Sequence, residues 1–245
     1  MPPVPDPSSG TNAVWVVLPT YNEAENLERI AGAVLERLPE NGRILIVDDN
    51  SPDGTGEIAD RLAEGSERVL ALHRPVKEGL GPAYLAGFAV ALDGGAERIV
   101  EMDADFSHDP SYLPGLIAAT DDADLAIGSR YVGGGGVLDW GPTRRFISRG
   151  GSAYARIALG LPIRDLTGGF KCFRRVVLES INLETIEARG YAFQVETTYR
   201  TIRAGFRVVE VPIVFRDRRA GSSKMSGTIV AEAMWRVPVM RFRRW

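Results

Sequence analysis

Five short apolar runs, each followed by a polar turn and most by a stretch of helical spacing, constrain this 245-residue chain more than any other feature. The first, Ala13-Val14-Trp15-Val16-Val17-Leu18, and the second, Ile44-Leu45-Ile46-Val47, lack the apolar/polar alternation of a half-exposed strand. Runs of that kind need burial on both faces, which a parallel sheet covered by helices provides. After Pro19-Thr20-Tyr21-Asn22-Glu23, Asn22 with Glu25 three residues on reads as a capping box. Leu27, Ile30, Ala31, Val34, Leu35 and Leu38 then recur at helical spacing. The second run leads through Asp48 to Gly54 into a helix over 55–63. The third, 69–73, leads into a helix over 81–92. The fourth, 98–102, leads to Asp109-Pro110, an N-cap with proline at the first helical position. The fifth is Leu125 to Gly128. Strands alternating with helices in this way predict an α/β, doubly wound, mainly parallel sheet with right-handed crossovers, and a binding edge at the strands' carboxyl ends.

Past Arg130 the pattern changes. Gly133 to Gly136 reads as a hinge, 148–159 as a helix, Leu166 to Phe170 as a turn, 193–204 as a helix and 208–215 as a strand. Residues 1–12, with four prolines, read as a disordered leader, 13–227 as one domain, and 228–245 as an amphipathic helix of that domain. The chain is -3 overall, but residues 216–245 carry eight basic residues against Asp217 and Glu232. Such an end suits an anionic surface or a phosphorylated ligand. Nucleic acid is disfavoured by the acidic total and by the lack of aromatics interleaved with the basic residues. No run reaches the roughly 18 apolar residues of a membrane span. The single cysteine, Cys172, excludes an internal disulfide, fits a cytoplasmic setting and reads as a small buried side chain.

The expected edge collects Tyr21 and Glu23, Asp48 and Asp49, Asp103 and Asp105, then Ser129 and Arg130. The first strand–helix turn has no G-x-G-x-x-G, which disfavours a dehydrogenase-type dinucleotide site, and the edge is acidic where backbone amides would hold pyrophosphate. Asp103-Ala104-Asp105 supplies two hard oxygen ligands, which suit Mg2+ or Mn2+ bridging to a diphosphate, although Asp-x-Asp also occurs in solvated turns.

Leu18-Pro19-Thr20-Tyr21-Asn22-Glu23, the stretch from Val47 to Thr55, Asp103-Ala104-Asp105 and Gly128-Ser129-Arg130-Tyr131 together resemble family 2 glycosyltransferases of the GT-A fold. More narrowly, Lys77-Glu78-Gly79-Leu80-Gly81, the stretch from Asp165 to Lys171, and Arg218 followed by Gly221-Ser222-Ser223-Lys224 resemble the dolichol-phosphate and polyprenol-phosphate mannose synthases. The resemblance implies inverting transfer of mannose from GDP-mannose to a polyprenyl phosphate. It assigns Pro19, Tyr21, Glu23, Val47 and Asp49 to the nucleoside, Asp103 and Asp105 to the metal, and Arg130, Arg218 and Lys224 to the phosphates. Arg144 and Ser148 fall to the acceptor phosphate. Some relatives carry a metal-binding glutamine where this chain has Ser107, so the third ligand stays open.

The resemblance further implies a peripheral protein at the cytoplasmic face of the membrane, held by the basic tail or by a separate integral membrane partner. Another sugar on the same lipid, such as glucose, and a non-catalytic nucleotide-sugar or membrane module remain alternatives. Arginine forks favour Arg130, Arg144 and Arg218 as phosphate ligands, with Arg144 and its neighbour Arg145 undecided. Asp105 and Arg130 are the expected catalytic residues, and Asp165 is either a third or a cap for the Thr167-Gly168-Gly169 turn. His108 reads as a turn residue or a support for the ligands. The loop from Arg218 to Gly227 reads as a basic lid over the diphosphate, with Trp235, Met240 and Phe242 behind it dipping into the membrane interface.

Overall fold

The structure, a computed structural model, describes residues 13–188, 190–217 and 235–243. Its centre is a seven-stranded sheet of order β3-β2-β1-β4-β7-β5-β8, formed by β1 (Val14–Thr20), β2 (Arg43–Asp48), β3 (Val69–His73), β4 (Arg98–Glu101), β5 (Leu125–Ser129), β7 (Lys171–Arg174) and β8 (Val208–Pro212). All neighbours pair in parallel except β7, which runs antiparallel between β4 and β5. A small second sheet pairs β6 (Gly136–Val137) with β9 (Val214–Phe215).

Both faces are buried, as the unbroken apolar runs require. Trp15 and Val17 of β1, with Leu45 and Val47 of β2, point into one core; Val14, Val16 and Leu18, with Ile44 and Ile46, point into the other. Helices α3 (Leu80–Asp93), α5 (Pro142–Leu159), α6 (Arg175–Ser180) and α7 (Gly190–Arg203) cover the first face. The second lies under α1 (Leu27–Leu35), α2 (Thr55–Gly65) and α4 (Leu113–Ala118). At Gly87, α3 rides so close to β1 that a Cβ would sit 2.4 Å from Val17 Cγ1, so only glycine allows that approach.

Several expectations need correction. The capping box at Asn22 does not form: Asn22 takes a left-handed φ of 57°, and α1 starts at Leu27 behind Asn26. Asp109 does cap, accepting from the Ser111 amide ahead of Pro110–Tyr112. Gly133 to Gly136 leads directly into β6, and α5 begins at Pro142, six residues before Ser148, with proline at its first turn. The run 208–215 is two strands in different sheets, broken at Ile213, which is buried. Residues 235–240 are helical, but Met240 and Val237 lie in the core, and only Trp235 and Phe242 among the expected membrane anchors are exposed. The lid from Arg218 to Gly227, the leader and 228–234 lie outside the described residues. No described helix is long and apolar enough to cross a membrane.

Candidate active site

Because β3, β2, β1, β4 and β5 run in one direction, their carboxyl ends meet along one edge. At its β1–β2 corner Pro19 is in register with Val47 and Thr20 with Asp48. Pro19 is half-buried, while Val47 is fully enclosed by the sheet. Lys77 Nζ lies 3.5 Å above the Tyr21 ring. The Glu23 amide donates to Thr55 Oγ1 at 2.9 Å, and its carboxylate accepts from Asn26 Nδ2 at 3.0 Å. Asp48 is a structural cap, accepting from the Ser51 amide, the Ser51 hydroxyl and Thr20. Asp49 is paired with Arg74, whose other Nη reaches Glu78. Burial raises the Asp49 carboxyl above the usual carboxylate range, against the pull of Arg74.

In the middle of the edge β4 ends at Glu101, and the chain passes through buried Met102 into Asp103-Ala104-Asp105. Tyr84, fully buried on α3 and stacked between Phe88 and Phe193, donates its hydroxyl to Asp103 Oδ1 at 3.3 Å. Burial foremost, with Asp103 adding to it, holds the Tyr84 phenol well above its ordinary pKa, so it stays a donor. The loop then folds back. The Ser107 amide donates to Asp105 Oδ1 at 3.0 Å, Phe106 takes φ +61°, and the Asp103 amide donates to His108 Nδ1 at 3.1 Å. An accepting Nδ1 puts the proton on Nε2. Burial lowers the His108 pKa, so this buried imidazole is a neutral brace and its nearness to Asp103 is no charged pair.

The two carboxylates suit a hard divalent cation. Asp105 is buried, Asp103 half-exposed, and the buried Ser107 hydroxyl beside them has no hydrogen-bond partner among the described residues. No third His, Cys, Asp or Glu joins them among those residues, so water or ligand oxygens would complete the shell, as Mg2+ and Mn2+ accept.

Further along, Arg130 follows β5. Its amide, Nε and Nη2 all donate to the fully buried Asp165, at 2.9, 2.7 and 2.6 Å, and Nη2 also reaches Thr167 Oγ1. Burial works to lower the guanidinium pKa, but Asp165 outweighs it and the group stays charged. Glu210 of β8 accepts in turn from the Asp165 amide and the Ser129 hydroxyl. The turn-cap role for Asp165 therefore gives way to an ion pair with the arginine that sequence reading assigned to phosphate.

Trp140 and Phe215 pack around Arg130, and His108 lies against Phe215, which joins this cluster to the Asp103 loop. On the first turns of α5, Arg144 stacks 4.4 Å from the Trp140 ring and donates to Asp217, and Ser148 Oγ accepts from the Tyr131 hydroxyl at 2.7 Å. Arg145 instead donates to the Val137 carbonyl, so of the two arginines Arg144 is the one joined to the cluster. Arg218 and Lys224 lie outside the described residues.

Sequence reasoning missed Arg74, Tyr84, Trp140 and Phe215, which become neighbours of the site only through long-range packing. It also missed two buried ionisable side chains under the edge, one of them, Glu101, with neither carboxylate oxygen hydrogen-bonded among the described residues. Glu101 and Lys171 face each other across β4 and β7, both fully enclosed. Lys171 donates to the Gln194 carbonyl and to Thr197 Oγ1. Burial pulls Lys171 down to about 8 and pushes Glu101 up to about 7, each opposed by the other's charge. Here a signal was present: a lone charge inside each of two apolar strand runs.

The model of glycosyl transferase family 2 matches residues 15–181 of this chain. The chain is 49% identical over 232 residues to an undecaprenyl-phosphate mannosyltransferase of Micrococcus luteus, covering 95% of this chain and 93% of that one. It is 51% identical over 229 residues to a polyprenol monophosphomannose synthase of Mycolicibacterium smegmatis, covering 93% and 86%. Among solved structures it matches glucosyl-3-phosphoglycerate synthase from Mycobacterium tuberculosis in complex with Mn2+, UDP and glucosyl-3-phosphoglycerate, with TM-score 0.67 and 19% identity over 94% of this chain and 80% of that one. At that identity the likeness speaks for the GT-A fold alone.

Proposed function

The chain belongs to glycosyl transferase family 2, and on that premise we propose that it transfers mannose from GDP-mannose to a polyprenyl phosphate at the cytoplasmic face of a membrane. The observation that carries this reading is the edge itself, where Asp103 and Asp105 stand beside an arginine cluster that continues into Arg144 and Ser148 on α5. Half-identity with two relatives named for mannose transfer to polyprenol carriers supports the choice of sugar and lipid.

In this reading Pro19, Tyr21, Glu23 and Asp49 wall the nucleoside, while Val47, enclosed in the core, supports that corner from within the sheet and does not touch the ligand. Asp103 and Asp105 would hold Mg2+ or Mn2+, which when bound supplies positive charge to the leaving diphosphate. Arg130, fixed by Asp165, adds a preorganised cation at no cost of reorientation. The acceptor needs no general base, because a phosphate monoester with its second pKa near 6 is already anionic at neutral pH. Arg144 and Ser148 hold that phosphate so that one oxygen attacks the anomeric carbon opposite the GDP oxygen. The new C–O bond forms as the old one breaks, its electron pair leaves on GDP, and the configuration inverts.

A donor panel tests the reading. Full-length chain with polyprenyl phosphate and Mn2+ is expected to make labelled lipid from GDP-mannose and little from UDP-glucose or UDP-mannose. Preference for UDP-glucose, or turnover of no donor, would overturn it.

A further inference from the structure

Beneath the binding edge, three enclosed polar side chains meet where β4, β7 and α7 close on one another. Glu101 stands two residues from Ile99 and its ladder partner Lys171 two from Phe173, so both point into the core that α7 covers. Gln194 of α7 joins them, and none of the three is more than 2% exposed. Lys171 Nζ spends two hydrogen bonds on α7, at the Gln194 carbonyl and Thr197 Oγ1, although an ammonium carries a third donor. Neither carboxylate oxygen of Glu101 and neither side-chain polar atom of Gln194 has a hydrogen-bond partner among the described residues. These four are most of the seven buried side-chain atoms in that condition, so the shortage is concentrated at one place. Against burial, which raises the Glu101 carboxyl most, the Lys171 charge and the Gln194 amide both pull it down, which sets the three groups around one space. Gln194 also backs onto the turn that carries Asp165: a Cβ on Gly169 would stand 3.3 Å from Gln194 Nε2 and 3.8 Å from His108 Cε1.

We propose that Glu101, Lys171 and Gln194 enclose a hydration site of about one or two water molecules, and that this joint holds the loop of Asp103 and Asp105 in register with the turn that clamps Arg130. Water fits the set by chemistry. A carboxylate only accepts, an ammonium only donates and an amide does both, while a buried water makes about three hydrogen bonds of either kind. A direct contact between Glu101 and Lys171 would leave the Gln194 amide unpaired, and an apolar filling would leave all four atoms unpaired, which folded proteins avoid. The joint has its role by position. Glu101 ends β4 two residues before Asp103, and Lys171 opens β7 directly after the turn. Gln194 stands behind Gly169, on whose other side lies His108, the brace of the Asp103 amide. A satisfied polar network specifies one arrangement where apolar packing tolerates several. Gln194 is therefore a positioning residue, acting on Arg130 through the turn and not on any substrate.

The test uses nuclear magnetic resonance on the isotope-labelled full chain without sugar, nucleotide or metal, so its result stands apart from the proposed transfer. In the parent, the Gln194 side-chain amide protons are expected to show cross-peaks to water with the sign that marks a long-held molecule. Absence of those cross-peaks would overturn the hydration site, and this arm needs no variant to fold. The variant E101L/K171M/Q194L then removes every polar group of the site while losing one charge of each sign, an exchange of buried ionic for apolar side chains that proteins often tolerate. Relaxation dispersion of bulk water is expected to count fewer long-held waters in the variant than in the parent, by about one or two. Exchange of the Arg130 Nε proton, which the parent donates to buried Asp165, is expected to be about tenfold faster. An equal water count in the two proteins would overturn the site. A lower count with Arg130 exchange unchanged would overturn the positioning role, because the clamp would then be set without the joint. Gln194→Leu alone, which keeps both charges, repeats the Arg130 measurement should the triple variant fold poorly, with the same faster exchange expected and the same unchanged rate overturning the role.

Discussion

Asp165→Asn isolates charge from shape at the most enclosed ion pair of the site. Asp165 is fully buried and takes three hydrogen bonds from Arg130, one from its amide and two from its guanidinium. Asparagine fills the same space and keeps one oxygen that can accept, but it removes the only carboxylate in contact with the guanidinium among the described residues. Removing one partner of a buried pair costs roughly 3–5 kcal/mol, because the other charge is left in a low-dielectric interior. The retained acceptor puts this case at the lower end, about 3 kcal/mol. For a domain of this size that corresponds to a melting temperature about 6–12 °C lower. Differential scanning calorimetry of the two proteins reads this directly. The double variant R130M/D165N removes both charges and keeps an acceptor for the amide of residue 130, so it is expected to recover most of the loss. A shift below about 2 °C for Asp165→Asn, or a double variant less stable than the single one, would refute the claim that Asp165 holds Arg130 by charge.

Alanine at two glycines should act with opposite sign: Gly32→Ala, at an exposed and open position of α1, is expected to stabilise by about 0.5–1 kcal/mol in urea melts, and Gly87→Ala, against Val17, to destabilise by roughly 1–3 kcal/mol. Glu101 has a folded pKa raised to about 7, so its contribution to stability is present below its unfolded value of about 4.5 and is lost as pH rises through about 7. Glu101→Gln should therefore gain on the parent by about 2–3 kcal/mol between pH 4 and 8 in denaturant titrations; a constant difference across that range would refute the shift. Arg144→Ala should raise KM for polyprenyl phosphate about 10–100-fold while leaving that for GDP-mannose within a few-fold; an effect confined to the donor would move Arg144 to the other half of the site.

How far the chain could be read from its residues follows from where each signal resides. β1 and β2 were legible because burial on both faces writes itself as an unbroken apolar run. α1 began late because the local cap at Asn22 lost to tertiary bonds, its own amide going to Ser51 and that of Glu23 to Thr55. β7 escaped notice because it is four residues long and opens on a lysine, whose burial makes sense only opposite Glu101 on β4. The early start of α5 was written in Gly141-Pro142, yet the exposed polar residues of its first turns hid the helical period. At the site, Asp103 and Asp105 were legible as two hard ligands at a strand end. The clamp of Asp165 on Arg130 was not, since it joins residues 35 apart through a fold that neither stretch encodes alone.

In the proposed reaction Asp103 and Asp105 are the place where the donor diphosphate is held for transfer. The direct measurement is formation of labelled polyprenyl-phosphate mannose from GDP-mannose by the full chain and by Asp105→Ala, each with chelator and then with excess Mn2+, beside a thermal melt of both proteins. The prediction is chelator-sensitive transfer by the parent, restored by Mn2+, and a loss of more than about 100-fold in a variant that still melts cooperatively. Transfer by Asp105→Ala within a few-fold of the parent, or parental transfer indifferent to chelator, would contradict it.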